Sequence, residues 1–145
     1  MLAYGKAKLR ITIVSHMTKE EHFKNLIELF PDFKALWESN NNYFKEDNGS
    51  YTIHGLFSEF SHLVSERLES GNTEKMKELF DYIEEIASNG NEDEQNAVCT
   101  CFLENILNRI PQKIDPKYFV PFLGKCSKDY CIAWDKFTGI KTKGL

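Results

Sequence analysis

The chain has 145 residues, a net charge of −4, and a composition that is 41% hydrophobic and 28% charged. Those values describe a single soluble globular domain, long enough to bury one substantial core. Its purely apolar runs are far too short to span a bilayer and nothing resembles a secretory leader, so no membrane partner is expected.

Four cysteines in a chain without an export signal read as reduced thiols, which points to the cytoplasm. Charge is unevenly spread. Residues 74–104 carry nine acids against two lysines, whereas residues 109–145 carry eight bases against three acids. The acidic surplus argues against nucleic acid as the main ligand. No cofactor-binding pattern is present, and no Gly-rich loop resembles a phosphate cradle.

Residues 1–16 differ from the rest. Leu9, Ile11 and Ile13 alternate with Arg10, Thr12 and Val14, a candidate short strand. Ser15-His16-Met17 resembles a vector-derived join, so 1–16 reads as an N-terminal extension that is either non-native or flexible. The helical domain is expected over 17–139, followed by a loose tail at 140–145.

Thr18 and Glu21 form a capping box, with Phe23, Leu26, Ile27 and Phe30 behind it. Pro31 ends that helix, and Phe33, Leu36 and Trp37 continue an apolar face. Tyr43-Phe44 and Tyr51-Thr52-Ile53 flank the turn Asp47-Asn48-Gly49-Ser50, which predicts a small hairpin. Ile53, Leu56, Phe57, Phe60, Leu63, Val64 and Leu68 recur at helical spacing.

After Gly71-Asn72 a helix is predicted from Thr73 to Ser88. On it Glu74, Glu78, Asp81 and Glu85 share one narrow face, with Met76, Leu79, Phe80, Ile83, Ile86 and Ala87 opposite. Asn91 caps the next helix with Glu94 at the third position, and its broad apolar arc through Ile110 predicts the most buried helix of the fold. Asp115-Pro116 opens a short helix that stops at Gly124, and Ser127 caps the last one, ending at Gly139.

The acidic stripe is the leading candidate site. Like charges at i, i+4 cost an isolated helix about 0.2–0.5 kcal/mol per pair, so the stripe is either a solvated face or a docking face for a basic partner. Glu92, Asp93 and Glu94 extend it.

Other constellations are weaker. Cys99 and Cys101 stand two residues apart and point about 200° from each other on an α-helix, which separates them as metal ligands. Glu59-x-x-His62 is one half of a di-iron helix motif without its second copy. There is no Gly-x-Ser-x-Gly elbow, and no catalytic set emerges.

Three segments carry a resemblance: Tyr51-Thr52-Ile53-His54-Gly55-Leu56-Phe57, Phe102-Leu103-Glu104-Asn105-Ile106-Leu107, and Leu123-Gly124-x-x-Ser127-x-x-Tyr130 with Trp134. Together, over about Met17 to Gly139, they resemble a family of small, acidic, all-helical bacterial proteins of unknown function. These in turn are similar to the helical immunity proteins of toxin systems.

The resulting expectation is an all-α domain of about five to seven helices in antiparallel hairpins. By the resemblance it is a non-enzymatic immunity protein for a basic toxin domain, and the charge pattern makes Glu74, Glu78, Asp81, Glu85, Glu92, Asp93 and Glu94 the expected docking residues. Two alternatives are an adaptor that takes a peptide in an apolar groove beside Glu104, Asn105 and Asn108, and a metal-dependent enzyme built on Glu59 and His62.

Overall fold

The computed structural model describes residues 17–39, 41–110 and 113–145. Residues 1–16, with the candidate strand and the extension, lie outside the described residues.

The described chain is all-α. Helix α1 (Lys19–Leu29) starts at the predicted capping box, where the Thr18 side chain accepts from Glu21 N and the Glu21 carboxylate accepts from Thr18 N. Pro31 separates it from α2 (Asp32–Glu38). Between α2 and α3 (Ile53–Glu69) the chain makes a turn closed by Glu46 N donating to Ser50 O, and no strand forms among the described residues. The expected hairpin is therefore only a loop.

Helix α4 (Met76–Asn89) begins later than its sequence suggests. Asn72 Oδ1 accepts from Glu74 N, Met76 N donates to Thr73 O, and Lys75 takes a left-handed φ of 66°. Glu74 thus sits in a turn ahead of the helix rather than on its stripe.

Helix α5 (Glu92–Asn96) starts at the predicted Asn91–Glu94 capping box. It runs into a π-helical segment, Ala97–Leu103, and then into α6 (Glu104–Leu107). The π turn is marked by Glu104 N donating to Cys99 O, five residues back. Two short 3₁₀ turns, Pro116–Tyr118 and Val120–Phe122, replace the expected short helix. Helix α7 (Lys125–Thr138) is capped by Gly124 rather than by Ser127.

A ladder of buried aromatic rings joins these elements. Phe33 of α2 meets Phe60 of α3 edge-on at 5.0 Å between centroids. Phe60 stacks on Phe102 of the π segment at 5.9 Å, Phe102 meets Phe80 of α4, and Phe80 stacks on Phe119 between the 3₁₀ turns at 5.8 Å. Each such pair adds about 0.5–1.5 kcal/mol beyond the area it buries.

Helix α3 packs most extensively on the π segment, and α4 packs against α5 and α7. That central position makes α3, and not the helix after Asn91, the most buried element: Leu56, Phe57, Phe60, Val64 and Leu68 are wholly enclosed.

Candidate functional site

The acids of residues 74–104 divide into an outward and an inward group. On α4, Met76, Leu79, Phe80, Tyr82, Ile83 and Ile86 all face the core. That commits the opposite side to solvent, where Glu78 is exposed and Asp81 and Glu85 are half-buried. Lys77 Nζ lies 3.0 Å from Asp81, and Asn89 Nδ2 donates to Glu85 at 2.6 Å. Glu74 is exposed in the turn at one end of α4, and Glu92 and Asp93 are exposed beyond the other. Among the described residues, the carboxylates of Glu74, Glu78, Glu92 and Asp93 have no ion-pair or hydrogen-bond partner. Six of the seven predicted site residues therefore reach solvent.

The seventh does not. Glu94 is 1% exposed. Its Oε1 accepts from Asn91 N at 2.8 Å, completing the cap, and its Oε2 lies 2.5 Å from His22 Nε2. A carboxylate buried against histidine cannot belong to an exposed docking face, so Glu94 is removed from it. The other imidazole nitrogen, Nδ1, lies 2.5 Å from the Tyr82 hydroxyl, which also accepts from Asn25 Nδ2 at 3.3 Å.

His22 and Tyr82 are both 0% exposed, and together with Glu94 they link α1, α4 and α5. Burial holds the His22 pKa below the ordinary imidazole value despite the hydrogen bond and charge of Glu94, and burial raises the Tyr82 phenol. A surface hollow of about 380 Å³ opens beside this cluster, lined by residues including Lys19, Thr52, His54, Asp93 and Glu94.

The sequence carried a signal for His22 that the capping and stripe patterns obscured. It falls four residues before Leu26 on the buried side of α1, a core position occupied by a polar ring.

Glu84 is a second inward acid. It leaves α4 beside the stripe and receives the start of α7: Cys126 N and Ser127 N each donate at 2.9 Å, the Ser127 hydroxyl at 2.8 Å and the Ser88 hydroxyl at 3.1 Å. Burial alone would raise its pKa, but these donors together hold it below the usual carboxylate value. A Cβ at Gly124 would lie 2.4 Å from two carbon atoms of the Glu84 side chain, so any larger residue there must push that carboxylate off the start of α7.

The remaining candidates are engaged elsewhere. Glu59 is buried and faces half-exposed His62 at 3.5 Å, and burial raises its carboxyl pKa against the pull of His62. Glu104 turns instead to α7, where it accepts from the Tyr130 hydroxyl. Asn105 donates to Ser61 Oγ and Cys101 O, and Asn108 accepts from Trp134 Nε1 at 3.3 Å.

All four cysteines are free thiols. Burial pushes Cys99 up to about 11 and Cys131 up to about 12, so neither is an activated nucleophile. Among the described residues no group of three or more His, Cys, Asp or Glu side chains is placed to hold a metal ion, and no helix is long and apolar enough to cross a membrane.

These features define a small all-α domain in whose acid-rich segment a minority of the acids, Glu84, Glu94 and Glu104, bind other elements of the fold while the rest reach solvent. The chain belongs to the family described as a domain of unknown function (DUF7674), whose model matches residues 23–139. No curated protein and no solved structure matches it.

Proposed function

We propose that this domain is a non-enzymatic protein-binding module, and specifically an immunity protein that neutralises a basic toxin domain through the solvent-facing acids of α4, of the turn ahead of it and of the start of α5. One observation carries the reading. Glu74, Glu78, Glu92 and Asp93 remain unneutralised among the described residues, while Glu84 and Glu94 of the same stretch are committed to the fold. Carboxylates that the fold does not use give long-range attraction to a basic surface and a fast association rate. Asp81 and Glu85 would join the interface with their Lys77 and Asn89 contacts rearranged.

The test is affinity capture from a lysate of the source cells with the wild-type chain and with Glu78→Lys/Asp81→Lys. The reading predicts a basic toxin domain bound by the wild type, weakened by salt and lost on charge reversal. Capture of the same partner undiminished by reversal would leave this face merely solvated.

A second reading, the peptide-binding adaptor, is favoured by the exposed ring of Phe137, which is 79% accessible and lies 5.4 Å from Trp134 beside Asn108. Phe137→Ser would abolish capture under that reading and leave it intact under the first.

A further inference from the structure

The loop between α2 and α3 holds two aromatic residues in a fixed pose. Buried Asn42 donates from Nδ2 to Trp37 O at 2.7 Å and accepts from Phe44 N at 2.9 Å. The far end is closed by Glu46 N donating to Ser50 O and by Ser50 N donating to Asn48 Oδ1. Phe44 lies against the first turn of α3, where a Cβ on Gly55 would come within 2.9 Å of the Phe44 Cβ. Tyr43 is left 90% exposed, its ring 5.8 Å from that of Phe44. A ring so far outside the core adds little to folding.

Between this loop and α3 lies a recess of about 430 Å³, lined by residues including Tyr43, Phe44, Tyr51, His54 and exposed Glu46. It shares Tyr51, Thr52 and His54 with the hollow that reaches Asp93, so it adjoins the acidic surface at the start of α5. The carboxylates of Glu46 and Asp93 have no ion-pair or hydrogen-bond partner among the described residues.

The opposing positive groups are Lys19, Lys45 and the first turn of α3. Lys19 is already engaged by Tyr51: its Nζ donates to Tyr51 O at 2.8 Å and lies 4.9 Å from the centre of the Tyr51 ring. Lys45 acts on Glu38 of α2, and Gly55 N donates to the Thr52 hydroxyl at 3.0 Å. The positive end of α3 still disfavours a compact ammonium held against it. A guanidinium on a long apolar stem suits the recess better. Its stem covers the rings, its plane stacks on them, and its charge reaches out to a carboxylate.

We propose that this recess receives an arginine side chain of a basic protein partner, stacked on Tyr43 and Phe44 and paired with Glu46. Such an anchor rests on the partner being basic, as proposed above, and lies apart from the acids of α4. A preformed loop that presents an exposed aromatic ring beside a free carboxylate binds with little ordering cost.

The experiment is a nitrogen–proton correlation titration of the full chain with acetylated, amidated hexa-arginine and with its uncharged isostere hexa-citrulline. Hexa-arginine should shift the amides of residues 43–46 and 51–55 saturably, and hexa-citrulline should leave them in place. The Tyr43 ring is outside the core, so Tyr43→Ser should fold normally and weaken that binding by about two- to fivefold. Glu46→Gln should weaken it by up to about fivefold, and Glu78→Lys/Asp81→Lys should leave the recess shifts in place. No shift at the recess, equal shifts with hexa-citrulline, or a Tyr43→Ser chain that binds as tightly as the wild type overturns the anchor. The two readings fail separately. Shifts confined to residues 74–93 sink the anchor and spare the α4 interface. Recess shifts that need Tyr43, beside lysate capture undiminished by the α4 reversal, support the anchor and sink that interface.

Discussion

Glu78 and Glu94 lie in the same acid-rich stretch and end in opposite surroundings. Glu78 stands on the solvent side of α4 without a partner among the described residues, and Glu94 is enclosed between the Asn91 cap and His22. A carboxylate in water contributes almost nothing to folding, whereas one buried with its hydrogen bonds satisfied is costly to remove. The charge of a segment is therefore a poor guide to its use until each acid has been placed against its neighbours.

The largest effect should come from Glu94→Ala, which strips the Nε2 partner from buried His22 and half of a helix cap. A loss of about 3 kcal/mol in urea unfolding is expected, and a loss under about 1 kcal/mol would erase the distinction between the two regions. Gly124→Ala comes next. Its Cβ displaces Glu84 from the start of α7, and the broken hydrogen bonds should lower stability by about 2 kcal/mol, read by the same method. Glu84 also gives a pH signature. Its lowered pKa means that its contribution is present above the ordinary carboxylate value near about 4.3 and disappears as the pH falls through the lower folded value.

Lys75→Gly tests where the outward group begins. It relieves a left-handed non-glycine residue and should stabilise the chain by about 1 kcal/mol in thermal unfolding, while Glu74 stays ahead of the helix. The smallest effect belongs to Glu78→Ala, expected within about 0.5 kcal/mol of wild type in urea unfolding.

Much of this architecture was legible in the residues. Thr18 with Glu21 and Asn91 with Glu94 marked two helix starts, because a side chain that satisfies an orphan N–H leaves a fixed four-residue pattern. The apolar stripe of α4 was legible for the same kind of reason, a period of 3.6 sustained over several turns.

The π segment was not legible. Ala97-Val98-Cys99-Thr100-Cys101-Phe102-Leu103 is apolar on most sides, so its composition is compatible with either helical period. Ser127 was misplaced because a serine before an apolar run looks like a cap, while here Gly124 caps the helix and Ser127 donates to an acid from another helix. Glu94 was readable as a cap residue and as part of an acidic patch. Only the three-dimensional arrangement brings in His22, far away in sequence, and decides between them.

The division of the acids is tested most directly by comparing amide exchange across α1, Lys19–Leu29, in Glu94→Ala and Glu78→Ala at neutral pH. The account predicts that protection in α1 falls by about a hundredfold in the first variant, the equivalent of about 3 kcal/mol, and by less than about threefold in the second. Equal losses in the two variants, or an α1 indifferent to Glu94, would contradict it.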